Sequence, residues 1–335
     1  MIEKPNIPDK KIISSLQENY SIPATGVEFL PLGLDSSAWA YRVEVENATY
    51  FLKLRKELPN PAGILIPRFL REQGIRQVMA PLATNNGEAW VCADGFFFIL
   101  YPFVTGNEVM EVGMSDEHWV EFGSILKQLH TTKPIPELLR QVKRETFIPK
   151  QLEYTQKLHT QVKYLKYDDP FQKELAAFWL ENYETISTIL ELTEALSKRM
   201  RETNLEFVLC HADIHTANLL LSDDDKIYIV DWDETLLAPK ERDLLFVIGS
   251  IFNDTSDGGW ERLFFEGYGE TEVDPLVLAY YRYDWCIEDI GEFAEDVFDR
   301  ENLGEETKAN SIRWFKTLFA GGTSVELALG SSYEF

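Results

Sequence analysis

His211, Asp213, Asn218 and Asp231 fall within one stretch of this 335-residue chain, residues 206–243, which reads EFVLCHADIHTANLLLSDDDKIYIVDWDETLLAPKERD. A side-chain amide and a carboxylate are hard oxygen donors, suited to a hard cation that keeps coordination sites open for phosphate and water. Asn218 and Asp231 can share such an ion only if the chain brings them together. The local pattern does so. Apolar runs at 219–221 and 227–230 flank a polar tip at 222–226, the signature of a β-hairpin with a short loop. The open ends of a hairpin meet, so Asn218 on one arm should lie beside Asp231 on the other. A short apolar run at 207–210 delivers the loop that holds His211, Asp213 and Asn218. The three aspartates at 223–225 read as turn residues rather than ligands.

The H-x-D-x-x-x-x-N spacing of His211, Asp213 and Asn218, followed by Asp231, is that of the protein-kinase catalytic loop and its metal-binding aspartate. Together HADIHTANLLL, IYIVDWDE and APKERDL are similar to the aminoglycoside phosphotransferase family, small-molecule kinases with a protein-kinase-like fold. The wording of APKERDL points to the branch that acts on spectinomycin. The resemblance runs from about Leu30 to about Glu292. It implies an α+β, two-lobed fold: an N-terminal antiparallel-sheet lobe over 1–101 and a larger, mainly helical lobe over 102–335. ATP and Mg2+ are the implied cofactors, and an alcohol group the implied acceptor. On that reading Asp213 accepts or orients the acceptor's proton, and Asn218 and Asp231 hold Mg2+. Lys53 contacts the α- and β-phosphates. His211 shapes the loop through a hydrogen bond, and Asp243 anchors it. Asp233 lies near the acceptor or a second metal, two options that the sequence leaves open.

The elements that must position these groups follow in chain order. Asp9 can cap a helix whose Ile12, Ile13, Leu16 and Tyr20 share a face. From Val27, alternating apolar and polar residues predict antiparallel strands around a small-residue loop containing Gly33, Ser36 and Ser37. Backbone N–H groups there can approach phosphates. The next strand, 50–54, carries Lys53. A protein kinase pairs this lysine with a glutamate of the following helix, but the segment 61–72 (PAGILIPRFLRE) has none at its middle, leaving Glu57 and Glu72 as available acids. Runs at 78–81, 89–92 and 96–101 read as further strands. At Tyr101, Phe103 and Gly106 the resemblance places a hinge whose backbone holds the adenine.

Beyond the hinge the pattern turns helical. Ser115 can cap a helix with Trp119, Phe122, Leu126 and Leu129 as its buried stripe, stopped by Pro134. His130 then reads as a helix-end residue. Residues 137–203 have helical apolar spacing and resemble the insert that aminoglycoside kinases place beside the acceptor site. The apolar run at 244–252 reads as a buried helix. In 275–290 (PLVLAYYRYDWCIEDI), Asp284 and Glu288 share one helix face and Trp285 and Asp289 another. These four, with Asp233, are the candidate acceptor-binding residues.

Composition bounds the reading. With 32 basic and 56 acidic residues the net charge is −24. Nucleic-acid partners, whose phosphates need a basic footprint, are disfavoured, and a small cationic substrate is favoured. Hydrophobic content of 45% with 26% charged residues suits an ordinary globular protein. Cys92, Cys210 and Cys286 are odd in number and widely spaced, which predicts buried thiols in a reducing compartment. The N-terminal MIEKPNIPDKK lacks the apolar core of a signal peptide, and no run is long enough to span a membrane. A cytoplasmic enzyme is therefore expected. Competing readings are a metabolic kinase acting on homoserine, choline or a sugar, and a nucleotide-binding pseudokinase. An intact Lys53, Asp213, Asn218 and Asp231 set argues against the last.

Overall fold

The computed structural model describes residues 4–31, 38–58, 60–249, 259–300 and 303–331. The chain divides into two compact units. The first gathers three separated segments, Met1–Arg144, Val208–Leu237 and Gly259–Glu270.

Its five-stranded antiparallel sheet has the order β1-β2-β3-β5-β4, built from β1 (Gly26–Leu30), β2 (Ala38–Val45), β3 (Ala48–Arg55), β4 (Val91–Ala93) and β5 (Phe96–Pro102). Strand alternation gives β3 two faces. Leu52 and Leu54 are fully buried in a core shared with Ile12, Leu16, Tyr41 and Phe98. Lys53 and Arg55 consequently emerge together on the opposite face. The N-terminal helix, Asp9–Tyr20, covers the apolar face, and its Tyr20 hydroxyl donates to the Phe98 carbonyl at 2.8 Å. Asp9 stands in the first turn after Pro8 rather than capping the helix.

Two of the expected strands differ: 78–81, and 89–92, which is observed as β4 at Val91–Ala93. Residues 78–81 form no strand, and their contact is a single parallel bridge from Val78 to Ile229. Cys92 is exposed, because β4 is a short edge strand and residue 92 faces outward on it. Cys210 and Cys286 are buried, as expected.

Two small sheets complete the strand set. One has the order β10-β9-β6, from β6 (Gly106–Glu108), β9 (Leu219–Ser222) and β10 (Ile227–Ile229). The other, β7-β11-β8, comprises β7 (Lys143–Arg144), β8 (Val208–Cys210) and β11 (Leu236–Ala238). The helix Asp116–Thr131 opens on a capping box: Ser115 Oγ accepts from the His118 N–H and His118 Nδ1 from the Ser115 N–H, each at 3.3 Å. Its Trp119, Phe122, Leu126 and Leu129 are all buried, and His130 is held at 2.7 Å from the Tyr268 hydroxyl. The helix Gly259–Tyr268 packs closely against it at two glycines, one on each helix. A Cβ on Gly123 would meet the Phe264 carbonyl oxygen at 2.0 Å, and one on Gly267 the Val120 carbonyl oxygen at 1.8 Å.

The second unit, Glu145–Phe207, Ala238–Gly258 and Thr271–Phe335, is helical in its described residues beyond the β11 terminus. Its longest helix, Pro275–Phe298, is capped by Asp274, whose carboxylate accepts from the Leu276 N–H at 2.9 Å. It outruns the expected end at 290 because Ala294 and Val297 continue the buried face set by Ile287 and Ile290. Helices Leu152–Gln161, Pro170–Glu181 and Tyr183–Glu202 pack against it. The run at 244–252 begins in the short helix Glu241–Leu244, and its residues 250–252 lie outside the described set.

Candidate active site

The first unit contains all four residues of the catalytic-loop pattern. β8 ends at Cys210 and hands the chain to His211, which is fully buried. His211 Nε2 donates to the Val230 carbonyl at 2.9 Å, and its Nδ1 accepts from the Asp213 N–H at 3.3 Å. Those two bonds fix the neutral tautomer and leave no ring nitrogen for proton transfer, so His211 shapes the loop. Ala212 between them takes a left-handed φ of 72°, the bend that turns Asp213 outward.

Asn218 ends a single 3-10 turn, Thr216–Asn218. Its Nδ2 donates to the Asp213 carbonyl at 2.8 Å and to Asp213 Oδ2 at 2.9 Å. With the amide hydrogens committed to Asp213, Oδ1 is the Asn218 atom left to meet a cation. The other Asp213 oxygen, Oδ1, lies 3.5 Å from His215 Nε2. Sequence reasoning assigned no role to His215, although its place two residues after Asp213 in the same loop was a usable signal.

The expected hairpin forms, with Leu219 opposite Ile229 and Leu221 opposite Ile227. The Val230 N–H then donates to the Asn218 carbonyl at 3.0 Å, so Asp231 follows immediately beyond the paired end. Asp231 has a φ of 56° and a half-exposed carboxylate. An amide oxygen outside those bonds and a half-exposed carboxylate one residue beyond the paired end are both hard donors, a set that fits Mg2+.

Lys53 approaches this segment from β3. Its Nζ donates to Asp231 Oδ1 at 3.2 Å and to Asp233 Oδ2 at 2.8 Å. Arg55, two residues along on the same face, bonds the same Asp233 oxygen. Burial works against the Lys53 charge, but Asp231 and Asp233 outweigh it and hold the ammonium protonated well above the usual lysine range. Burial likewise pushes Asp233 upward, and Lys53 and Arg55 reverse that, leaving its carboxyl below the ordinary value. Neither Glu57 nor Glu72 is an ion-pair partner of Lys53 among the described residues, and both are exposed. Arg55 was legible as the other cation on this face, because strand alternation puts positions 53 and 55 together.

Tyr101 lies on β5 opposite Phe51, and burial raises its hydroxyl pKa well above the ordinary value. Phe103 follows the strand with the Arg42 guanidinium 5.1 Å from its ring centre. Gly33, Ser36 and Ser37 lie outside the described residues.

The remaining candidates belong to the second unit. Asp243 is fully buried in the short helix Glu241–Leu244. Asp284, Trp285, Glu288 and Asp289 lie along Pro275–Phe298, all partly buried. Trp285 meets the Phe246 ring edge-on at 4.9 Å, and Glu288 pairs with Lys150 at 3.2 Å. Burial raises the Asp284 carboxyl to about 7, opposed by Arg242 and Lys150 and reinforced by Glu288 and Glu145. Arg242, a buried guanidinium, is a member of this cluster that sequence reasoning missed.

The model of the phosphotransferase enzyme family matches residues 28–301. A spectinomycin phosphotransferase solved with ADP and spectinomycin is 31% identical, with a TM-score of 0.90 over 98% of this chain and 99% of that one. A choline kinase from Streptococcus pneumoniae shares the fold at 15% identity and a TM-score of 0.58, over 92% of this chain and 98% of the other. An aminoglycoside phosphotransferase from Alicyclobacillus acidocaldarius does so at 14% and 0.58, over 98% and 96%. The α+β kinase-like fold, the catalytic-loop pattern and a match across most of the length agree: the chain belongs to the phosphotransferase enzyme family.

Proposed function

We propose that this protein transfers the γ-phosphate of ATP to a hydroxyl of a cationic aminocyclitol of the spectinomycin kind, in the cytoplasm where ATP is available. The observation that carries the reading is the bonded set Asn218–Asp213 beside Asp231–Lys53 within one compact unit. Phosphoryl transfer demands positioning and charge neutralisation more than covalent work by the protein. Asp213 accepts or orients the proton of the acceptor hydroxyl, with its carboxylate held in place by the Asn218 amide. Lys53 supplies a fixed positive charge for the α- and β-phosphates. Asn218 Oδ1 and Asp231 would hold Mg2+, which when bound neutralises the phosphate oxygens. Tyr101, Phe103 and the loop bearing Gly33, Ser36 and Ser37 would take the rest of the nucleotide.

For the acceptor, support comes from the −24 charge, the carboxylates Asp284, Glu288 and Asp289 beside Trp285, and the similarity to a protein solved with spectinomycin. A protonated amine suits a carboxylate with an aromatic wall. The second reading is a metabolic kinase for a small alcohol such as homoserine, choline or a sugar. The pairing of Glu288 with Lys150 and the action of Arg242 on Asp284 favour the uncharged members of that group. A coupled ADP-release screen separates them. Turnover with spectinomycin or a related aminocyclitol, and none with homoserine, choline or sugars, is the expected result. Turnover on homoserine, choline or a sugar, with none on aminocyclitols, would replace the first reading with the second.

A further inference from the structure

We infer that Asp233 is the carboxylate that keeps Lys53 on the nucleotide, in the place that a helix glutamate takes in protein kinases, and that Arg55 and Asn60 are positioning residues for it. The inference rests on the kinase reading above. The helix Ala62–Glu72 presents no acid until its last residue, which is exposed. The lysine has found a carboxylate elsewhere. Of its two partners, Asp233 at 2.8 Å is closer than Asp231 at 3.2 Å.

The segment carrying Asp233 is fixed from both sides. On the sheet side, Asn60 Nδ2 donates to the carbonyls of Asp233 at 2.8 Å and Thr235 at 3.0 Å, while the nearly buried Arg55 guanidinium bonds the Asp233 carboxylate. Gly63 lets the helix approach so closely that a Cβ would meet the Trp232 carbonyl oxygen at 2.6 Å. On the loop side, Trp232 Nε1 donates to the Ile229 carbonyl at 3.2 Å and Thr235 Oγ1 to the Cys210 carbonyl at 2.7 Å.

The charge count explains why two aspartates are present. Lys53 and Arg55 balance Asp231 and Asp233. If Asp231 alone faced Lys53, a cation binding Asp231 would leave a largely buried ammonium unpaired, at considerable cost. With Asp233 in place, Asp231 is released to a cation while Lys53 keeps a partner and still donates to phosphate. Arg55 satisfies Asp233 in turn, so the exchange strands no charge.

The test is calorimetric titration of ADP into the full chain across a series of Mg2+ concentrations, for the parent, Asp233→Asn, Arg55→Met and Arg55→Lys. In Asp233→Asn, Lys53 competes for Asp231, so the Mg2+ concentration needed for half-maximal ADP binding should rise about tenfold, the scale of one charge-assisted hydrogen bond. Arg55→Met should move in the same direction and Arg55→Lys should recover most of the parental value. A merely structural role lowers the melting temperature and leaves the Mg2+ requirement alone. That outcome in Asp233→Asn overturns the inference, whether or not Arg55→Met folds. A parent chain that binds no ADP overturns the kinase reading itself, which distinguishes the two failures.

Discussion

Asp213 is the one titratable side chain in the loop whose oxygens both face groups able to orient them, Asn218 on one and His215 on the other. Asp213→Asn keeps the shape and removes the carboxylate that the proposed mechanism uses as proton acceptor. Turnover should fall by about 10²–10⁴, with calorimetric nucleotide affinity close to the parent's. Near-parental turnover would remove Asp213 from the proton's path. Asp284 gives a prediction of the opposite kind, about stability. Its folded pKa of about 7 stands above the ordinary 3.8 because it is buried, despite Arg242 and Lys150 and helped by Glu288 and Glu145. Between those values the unfolded chain has shed the proton and the folded chain retains it, so the group's contribution to stability falls as pH rises through the window. Asp284→Asn removes that dependence. Relative to the parent, the variant's melting temperature should climb by a few °C from pH 4.5 to pH 8, and an unchanged difference would contradict the buried-acid assignment. At this scale the sequence was legible where the geometry is local: a loop spacing and a hairpin place Asp213, Asn218 and Asp231. The partner of Lys53 was not, because it lies about 180 residues away and only tertiary structure brings it there. The missing glutamate was visible as an absence, with nothing to name its replacement.

The hairpin β9–β10 shows why some elements read cleanly. Its period-two pattern and polar tip agree with its turn, and no distant packing contradicts them. The run at 78–81 has strand-like composition, but it meets Ile229 at a single bridge. The long helix Pro275–Phe298 was read short because its buried face continues in small or β-branched residues, Ala294 and Val297, without a stop signal at 290. The close packing of Asp116–Thr131 and Gly259–Tyr268 had no readable signal, since two glycines far apart in sequence do not announce that their helices meet. It carries a prediction against the usual rule. Alanine for glycine inside a helix ordinarily stabilises by about 1 kcal/mol. At Gly123 the added methyl would meet the Phe264 carbonyl oxygen at 2.0 Å. Gly123→Ala should therefore destabilise by about 1–3 kcal/mol through overpacking, measured by chemical denaturation. A stabilised variant would show that the helices separate freely.

For the whole molecule, a charge of −24 raises the concentration of a cationic acceptor near the surface. Its Michaelis constant should rise several-fold between about 20 mM and 500 mM salt, as attraction through solvent is screened. An acceptor whose Michaelis constant ignores salt would point to an uncharged alcohol. Among the described residues, no helix is long and apolar enough to cross a membrane. The division into units follows space rather than chain order: the first is closed by segments that end at Leu237 and Glu270, with the second unit's residues emerging in between. β6 finds its partner β9 only after more than a hundred further residues. A ribosome therefore releases the sheet, Lys53 and Arg55 long before any of Asp231, Asp233 or Asn218 exists to meet them. In that interval the two cations lack their carboxylates and β6 its neighbour, an exposure that invites chaperone binding or misassociation. Nascent chains halted after Arg144 should be protease-sensitive in pulse-proteolysis, and protection of the sheet should come only once translation has passed residue 270.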